Sequence, residues 1–198
     1  MMMALALTGM VSLARDTNSV MPATDDHGAS TNNMARPSPR FTVQDNTNCV
    51  VDNLTGLMWA RNANLFGQVN WSAAMTNCGN LTYGGRSDGR LPTRREILSL
   101  INDRWNSPAL CNAGGIAQWT ANDPFTGVQP SYYWSSEVAY GGKVKTAWIV
   151  HLSNGYVGPD YMDTDAFLAW PVRGKGNAAF IRGNEWVPWV GRAIRKIK

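Results

Sequence analysis

After residue 131 the chain is cut into short apolar runs. YYWSS, TAWIVHL, GYV and AFLAWPV stand between Gly, Asn, Asp and Pro residues, and each is too short for a helix. That punctuation points away from a helical bundle and toward sheets of short strands, as do nineteen Gly and nine Trp in 198 residues. In TAWIVHL, Trp148, Val150 and Leu152 share one face, and Ala147, Ile149 and His151 share the other. Both faces are largely apolar, so this strand is expected in the middle of a sheet. Upstream, FTVQD and CVVDN read as strands around the turn-prone Asn46-Thr47-Asn48, and LMWA follows a second turn at Leu54-Thr55-Gly56.

Two helices interrupt the strands. In NWSAAMTNCGNL, Trp71, Ala74, Met75 and Cys78 follow the i, i+3, i+4, i+7 spacing of a buried stripe, and Asn70 is placed to cap the first turn. In PTRREILSLINDRW, Thr93 and Glu96 form a capping box directly after Pro92. Ile97, Leu98, Leu100, Ile101 and Trp105 would then face the core. Residues 107–130, with Gly114-Gly115 and three prolines, read as loop.

The flanks are different in kind. Residues 1–14 carry an apolar stretch that ends in Ser12-Leu13-Ala14, the small-x-small form of a signal-peptidase site, without a basic start. A short secretory signal is therefore expected, with an N-terminal strand or helix as the alternative. Residues 15–36 are polar and aperiodic, as in a linker or extended arm. From residue 174 to the end, six Lys or Arg oppose the single acid Glu185, so this tail carries +5 and leaves −1 of the formal +4 for the rest. Basicity confined to a tail does not suit a specific nucleic-acid-binding face. With Trp186 and Trp189, residues 175–198 are the one segment suited to touch a membrane surface, the other reading being a solvated tail. Cys49, Cys78 and Cys111 fit an exported domain with one disulfide and one spare thiol, or three reduced and buried cysteines.

The series PRFT, VDNLTGLMWARNAN, Trp71-x-x-Ala74, RLPTRREILSLI, YYWSS, AWIVHLSNGYV and VRG, in that order, resembles the Lcl C-terminal domain family over residues 37–174. This is a family of bacterial exported and surface domains long described as of unknown function, whose named member is a collagen-like adhesin. The resemblance implies an α+β, C-type-lectin-like fold, with two helices packed on twisted antiparallel sheets of short strands. It implies secretion into the periplasm or medium, or display on the cell surface, and binding of glycans or another surface macromolecule. Related scaffolds serve as diversified protein-binding modules of diversity-generating retroelements, so a protein ligand is the alternative. Two departures stand out. Asp88-Gly89-Arg90-Leu91-Pro92 has Gly where the family usually has Trp, which predicts a void worth about 3–5 kcal/mol unless another residue fills it. The chain also continues past the VRG strand.

For chemistry the sequence offers little. No GxSxG, HExxH or phosphate-cradling glycine loop occurs, so no catalytic residue and no cofactor is assigned. His151 on a strand reads as a packed or hydrogen-bonded residue, and an uncharacterised enzyme using it is the least favoured alternative. Asp88 and Glu96 could be cast as paired carboxylates, but capping already explains Glu96. Asp160, Asp163 and Asp165 have the oxygens that calcium prefers without EF-hand spacing, so no metal site is assigned. A recognition surface is better supplied. Tyr140, Tyr156 and Tyr161 lie in turn-like contexts, while Trp134, Trp148 and Trp170 are read as core. Lys143 and Lys145, with Asn154 and the three aspartates, add charge and hydrogen-bonding capacity to the loops over residues 140–145 and 154–165. Single sites of this kind bind weakly, so a homo-oligomer would multiply the affinity.

Overall fold

The computed structural model describes residues 37–44, 48–140 and 143–176. The expected leader and linker (residues 1–36) and the tail from residue 177 onward fall outside the described residues. Four strands, β1 (Phe41–Gln44), β2 (Cys49–Asp52), β3 (Met58–Ala60) and β4 (Gln68–Val69), precede α1 (Trp71–Asn80) and α2 (Arg94–Leu100). Then come β5 (Tyr132–Tyr140), β6 (Thr146–His151), β7 (Tyr156–Tyr161), β8 (Phe167–Leu168) and β9 (Val172–Arg173). The result is an α+β fold of two helices and two sheets. One sheet has the order β1-β2-β3-β9, and the other β4-β8-β5-β6-β7; every pair is antiparallel except β5 with β8.

β6 lies between β5 and β7, with apolar clusters on both of its faces, as its sequence requires. Toward α1 the sheet packs Trp134, Ala147 and Ile149 against Ala74 and Cys78. Toward α2, Tyr133, Val150 and Leu152 join Ile97 and Leu100 in the larger cluster. The run AFLAWPV, expected as one strand, is divided: Phe167 and Leu168 pair in one sheet and Val172 in the other. Trp170 is the joint. Its indole N–H donates to the Ala60 carbonyl at 2.8 Å, and its ring meets Trp59, Phe125 and Tyr133 at 5.4, 4.9 and 5.8 Å. The 101–131 segment is irregular, yet it delivers Leu110 and Phe125 to the core.

Both predicted caps form. Asn70 Oδ1 accepts the Ala73 N–H, and Thr93 and Glu96 exchange the two bonds of a capping box. Two expectations are corrected. Met75 is 38% exposed because only Ala74 and Cys78 of α1 turn fully inward. α2 stops at Leu100: Ile101 is already extended (ψ 131°), so Ile101 and Trp105 pack on the core from a loop. All three cysteines are buried and reduced, as in the second of the two alternatives. The void expected at Gly89 is also absent. A Cβ placed there would lie 2.7 Å from the Cys78 carbonyl oxygen and 3.0 Å from Tyr83 Cε1, so backbone and the Tyr83 ring already fill that space.

The motif residues mostly hold the fold together. Arg40 Nε and Nη2 grip Asp52 at 2.7 and 2.9 Å, while Asp52 also accepts the Thr55 hydroxyl and the Leu54 N–H. Arg90 makes a two-point bond to Glu96 at 2.7 and 2.6 Å and reaches the Gly174 carbonyl at 2.8 Å. Arg173 donates to the Tyr83 carbonyl at 2.9 Å. These pairings tie the strand ends and the α2 cap into one frame.

β7 is the outer strand of its sheet. Pro159 lies opposite Trp148 and has no N–H, so that pair is a non-hydrogen-bonded one, and the N–H groups at 157 and 161 point outward with it. The Tyr161 N–H is already taken by the Asp160 and Asp165 carboxylates, at 2.9 and 3.1 Å.

Candidate ligand-binding surface

The register of β5, β6 and β7 places Tyr132, His151 and Tyr156 directly opposite one another on the α1-facing side. Their rings form a row. Tyr132 meets His151 edge-on at 4.2 Å between centroids and Tyr156 at 6.5 Å, while Phe167 of β8 extends the row at 5.4 Å from Tyr132. Trp134 supports it from below: its ring is 4.9 Å from Phe167, and its indole N–H donates to the Val69 carbonyl at 2.8 Å. Tyr132, His151 and Phe167 are half-buried, and Tyr156 is 54% exposed.

Glycine and asparagine fix the end of the row. A Cβ on Gly158 would come within 2.7 Å of Tyr156 Oη, so the tyrosine lies over a residue that must lack a side chain. Asn154 Oδ1 accepts the Tyr156 N–H at 3.0 Å, and Gly155 turns the chain at φ +74°. His151 Nδ1 accepts the Ser153 N–H at 3.2 Å, which leaves the ring proton on Nε2. Burial lowers its pKa, so the imidazole is neutral at pH 7 and the row carries no charge.

The nine residues expected at a binding surface do not gather in one place. Asn154 and Tyr156 stand at the β6–β7 turn. Tyr140, Lys143, Lys145, Asp160, Tyr161, Asp163 and Asp165 cluster around the opposite end of β7, ~17 Å away at about 3.3 Å per residue. Residues 156 and 161 on β7 are an odd number apart, so Tyr161 also lies on the opposite sheet face from Tyr156, whereas Asp160, an even number away, shares the Tyr156 face. The three tyrosines and both lysines are exposed, as expected.

Asp160 and Asp165 share the Tyr161 N–H. Burial, then the hydrogen bond with Asp165, raises the Asp160 carboxyl. Asp163 does not join them in a ligating trio: among the described residues no three His, Cys, Asp or Glu side chains converge as a metal site would need. Trp148 corrects its core assignment. It is half-buried and joins neither apolar cluster, and the Arg94 guanidinium carbon sits 4.4 Å from its indole centroid. Asp88 and Glu96 do not act as a pair: Glu96 is locked to Arg90, and Asp88 is 57% exposed near Arg173.

A groove of about 490 Å³ lies elsewhere, between Arg61, Asn62, Leu65, Leu81 and Tyr83. Its polar groups are partly committed, Arg61 Nε to the Pro124 carbonyl and Asn62 Oδ1 to the Asn64 N–H, and His151 is not among its walls. Sequence reasoning missed Tyr132 and Phe167. Their role depends on strand register, which alternation within one strand cannot reveal.

No curated protein matches the chain. The family model of the Lcl C-terminal domain matches residues 48–173, from the last residue of the β1–β2 connection to the arginine of VRG, well over half of the sequence. The frame of paired arginines and carboxylates described above falls almost entirely within that match. The chain belongs to the Lcl C-terminal domain family.

Proposed function

We propose that this chain is an exported or surface-displayed recognition domain of C-type-lectin-like arrangement, which holds glycans without transforming them. One observation carries this reading: the uncharged row Phe167, Tyr132, His151, Tyr156 lies partly open on a rigid sheet. Aromatic rings present flat apolar faces to the C–H faces of sugars, and phenol hydroxyls and Asn154 add hydrogen bonds at the rim. Rows of this kind suit an extended, neutral chain. The neutral, packed state of His151 and the commitment of Glu96 to Arg90 favour holding over catalysis.

A single row of three or four rings gives millimolar to micromolar affinity, raised by repeated sites on one polymer. The test is affinity electrophoresis of the full chain through gels containing neutral polysaccharides, followed by a glycan array. Tyr156→Ala is expected to weaken retention by about fivefold or more, the scale of a lost aromatic anchor. Equal retention of wild type and Tyr156→Ala in every gel that slows the protein would overturn the row as the binding surface.

A further inference from the structure

The β6–β7 turn depends on the central ring of the row. His151 holds the turn twice: its carbonyl accepts the Gly155 N–H at 2.8 Å, and its ring Nδ1 accepts the Ser153 N–H at 3.2 Å. Ser153 is itself fixed from the other side. Its carbonyl accepts the Ser107 N–H at 3.1 Å, and its hydroxyl donates to the Pro130 carbonyl at 3.2 Å. The same imidazole meets Tyr132 edge-on at 4.2 Å and has Tyr156 opposite it on β7.

An imidazole accepts through Nδ1 only while it is neutral, because the imidazolium donates from both nitrogens. Protonation sets an Nδ1–H against the Ser153 N–H, two donors at the 3.2 Å of the present bond. Ser153 is anchored by its two other bonds, so the ring must give way. It is half-buried, and a rotation about its side-chain bonds brings the cation to water, which solvates it better. We propose that His151 is an acid-operated latch on the aromatic row: protonation frees its ring from Ser153 and Tyr132 and opens the row between Tyr132 and Tyr156. The row then holds its ligand in neutral medium and releases it in acid. That consequence rests on the reading of the row as a glycan-binding surface; the latch itself rests on the Ser153 bond.

The surroundings offer the cation no partner among the described residues. The ring's neighbours are Tyr132 of β5 and Tyr156 of β7, with Phe167 of β8 beyond Tyr132. α1, packed on the same face, has no charged residue from Trp71 to Asn80. Glu137 of β5 is engaged at α2, where it accepts the Arg94 N–H at 2.8 Å. Asp160, with Asp165 beside it, shares the face but stands four residues along β7 from Tyr156, ~13 Å at about 3.3 Å per residue. That is farther than the screening length of about 8 Å at physiological salt. Burial lowers the folded pKa of His151 below the ordinary 6.5. The sign follows: the latch is closed at pH 7 and opens as pH falls through that lowered value.

Two readouts on the full chain keep latch and row apart. In the first, without ligand, backbone and ring-nitrogen NMR signals are followed from about pH 7.5 to about 4.5. Nδ1 is expected to be the unprotonated nitrogen in neutral solution. The Ser153 amide is expected to move with the same midpoint as the His151 ring, below 6.5, while amides in the middle of β6 stay where they are. The second readout is affinity electrophoresis, at about pH 7 and about pH 5, in a neutral polysaccharide gel that slows the wild type. Retention is expected to weaken about fivefold in acid, the scale of a lost aromatic contact. His151→Gln offers the Ser153 N–H an uncharged amide oxygen in place of Nδ1. It is expected to bind more weakly than wild type in neutral gels, for want of the ring, and equally at both pH values. A Ser153 amide that does not move while His151 titrates overturns the latch. So does a pH dependence in His151→Gln as steep as in the wild type. If Tyr156→Ala leaves retention unchanged while Ser153 titrates with His151, the row falls as a binding surface and the latch stands as a property of the turn.

Discussion

At the scale of single residues, the motif side chains Arg40, Asp52, Arg90 and Glu96 are structural. Asp52 is fully buried and satisfies Arg40, Thr55 and the Leu54 N–H together. Asp52→Asn leaves the Arg40 guanidinium buried without its counter-charge, a loss of about 3–5 kcal/mol. A thermal melt should fall by about 10 °C or more. Gly89 makes a subtler case. Gly89→Trp, the family's usual residue, meets the Tyr83 ring and the Cys78 carbonyl, and overpacking of this kind costs about 1–3 kcal/mol. Adding Tyr83→Ala should recover part of that loss, so chemical denaturation of the double variant should show less than the sum of the two single effects. His151 gives the protein a pH dependence of definite sign. Burial lowers its folded pKa below the ordinary 6.5, so the unfolded chain binds the proton more readily. Its contribution to stability is complete above that value and is lost as pH falls through it. In melts between about pH 7 and 5, His151→Gln should show a shallower decline than wild type.

Among the elements, α2 shows what local sequence decides and where it stops deciding. Thr93, Glu96 and the stripe through Ile97 and Leu100 placed its start and inward face, and Thr93→Ala should cost about 1 kcal/mol in denaturant unfolding. Its end was not legible. Ile101 and Trp105 continue the helical spacing, but their partners come from the long loop, and packing there overrides periodicity. The same holds for AFLAWPV, which reads as one strand until Trp170 bonds to Ala60 and sends its two halves to different sheets. The candidate surface was legible in part. Exposure of Tyr140, Tyr156 and Tyr161 followed from their Gly, Asn and Asp neighbours, whereas the row follows from which residues lie across from one another in neighbouring strands. Trp148 looked like core because its own strand is apolar on both sides, yet it is half-buried beneath the Arg94 guanidinium.

Across the whole domain, the register of β6 and β7 separates the proposed aromatic row from Tyr161, which stands on the opposite face at the other end of β7. The outermost strand matters for a different reason. Pro159 removes one outward N–H of β7 and two aspartates occupy another, so a neighbouring copy meets an interrupted ladder with the Val157 N–H left between the gaps. Pro159→Val combined with Asp165→Ala should therefore raise light scattering at high concentration without lowering the melting temperature, while wild type stays monodisperse. If the proposed polysaccharide binding holds, domains crowded side by side along one polymer would meet at this broken edge and would still come apart when the polymer is washed away.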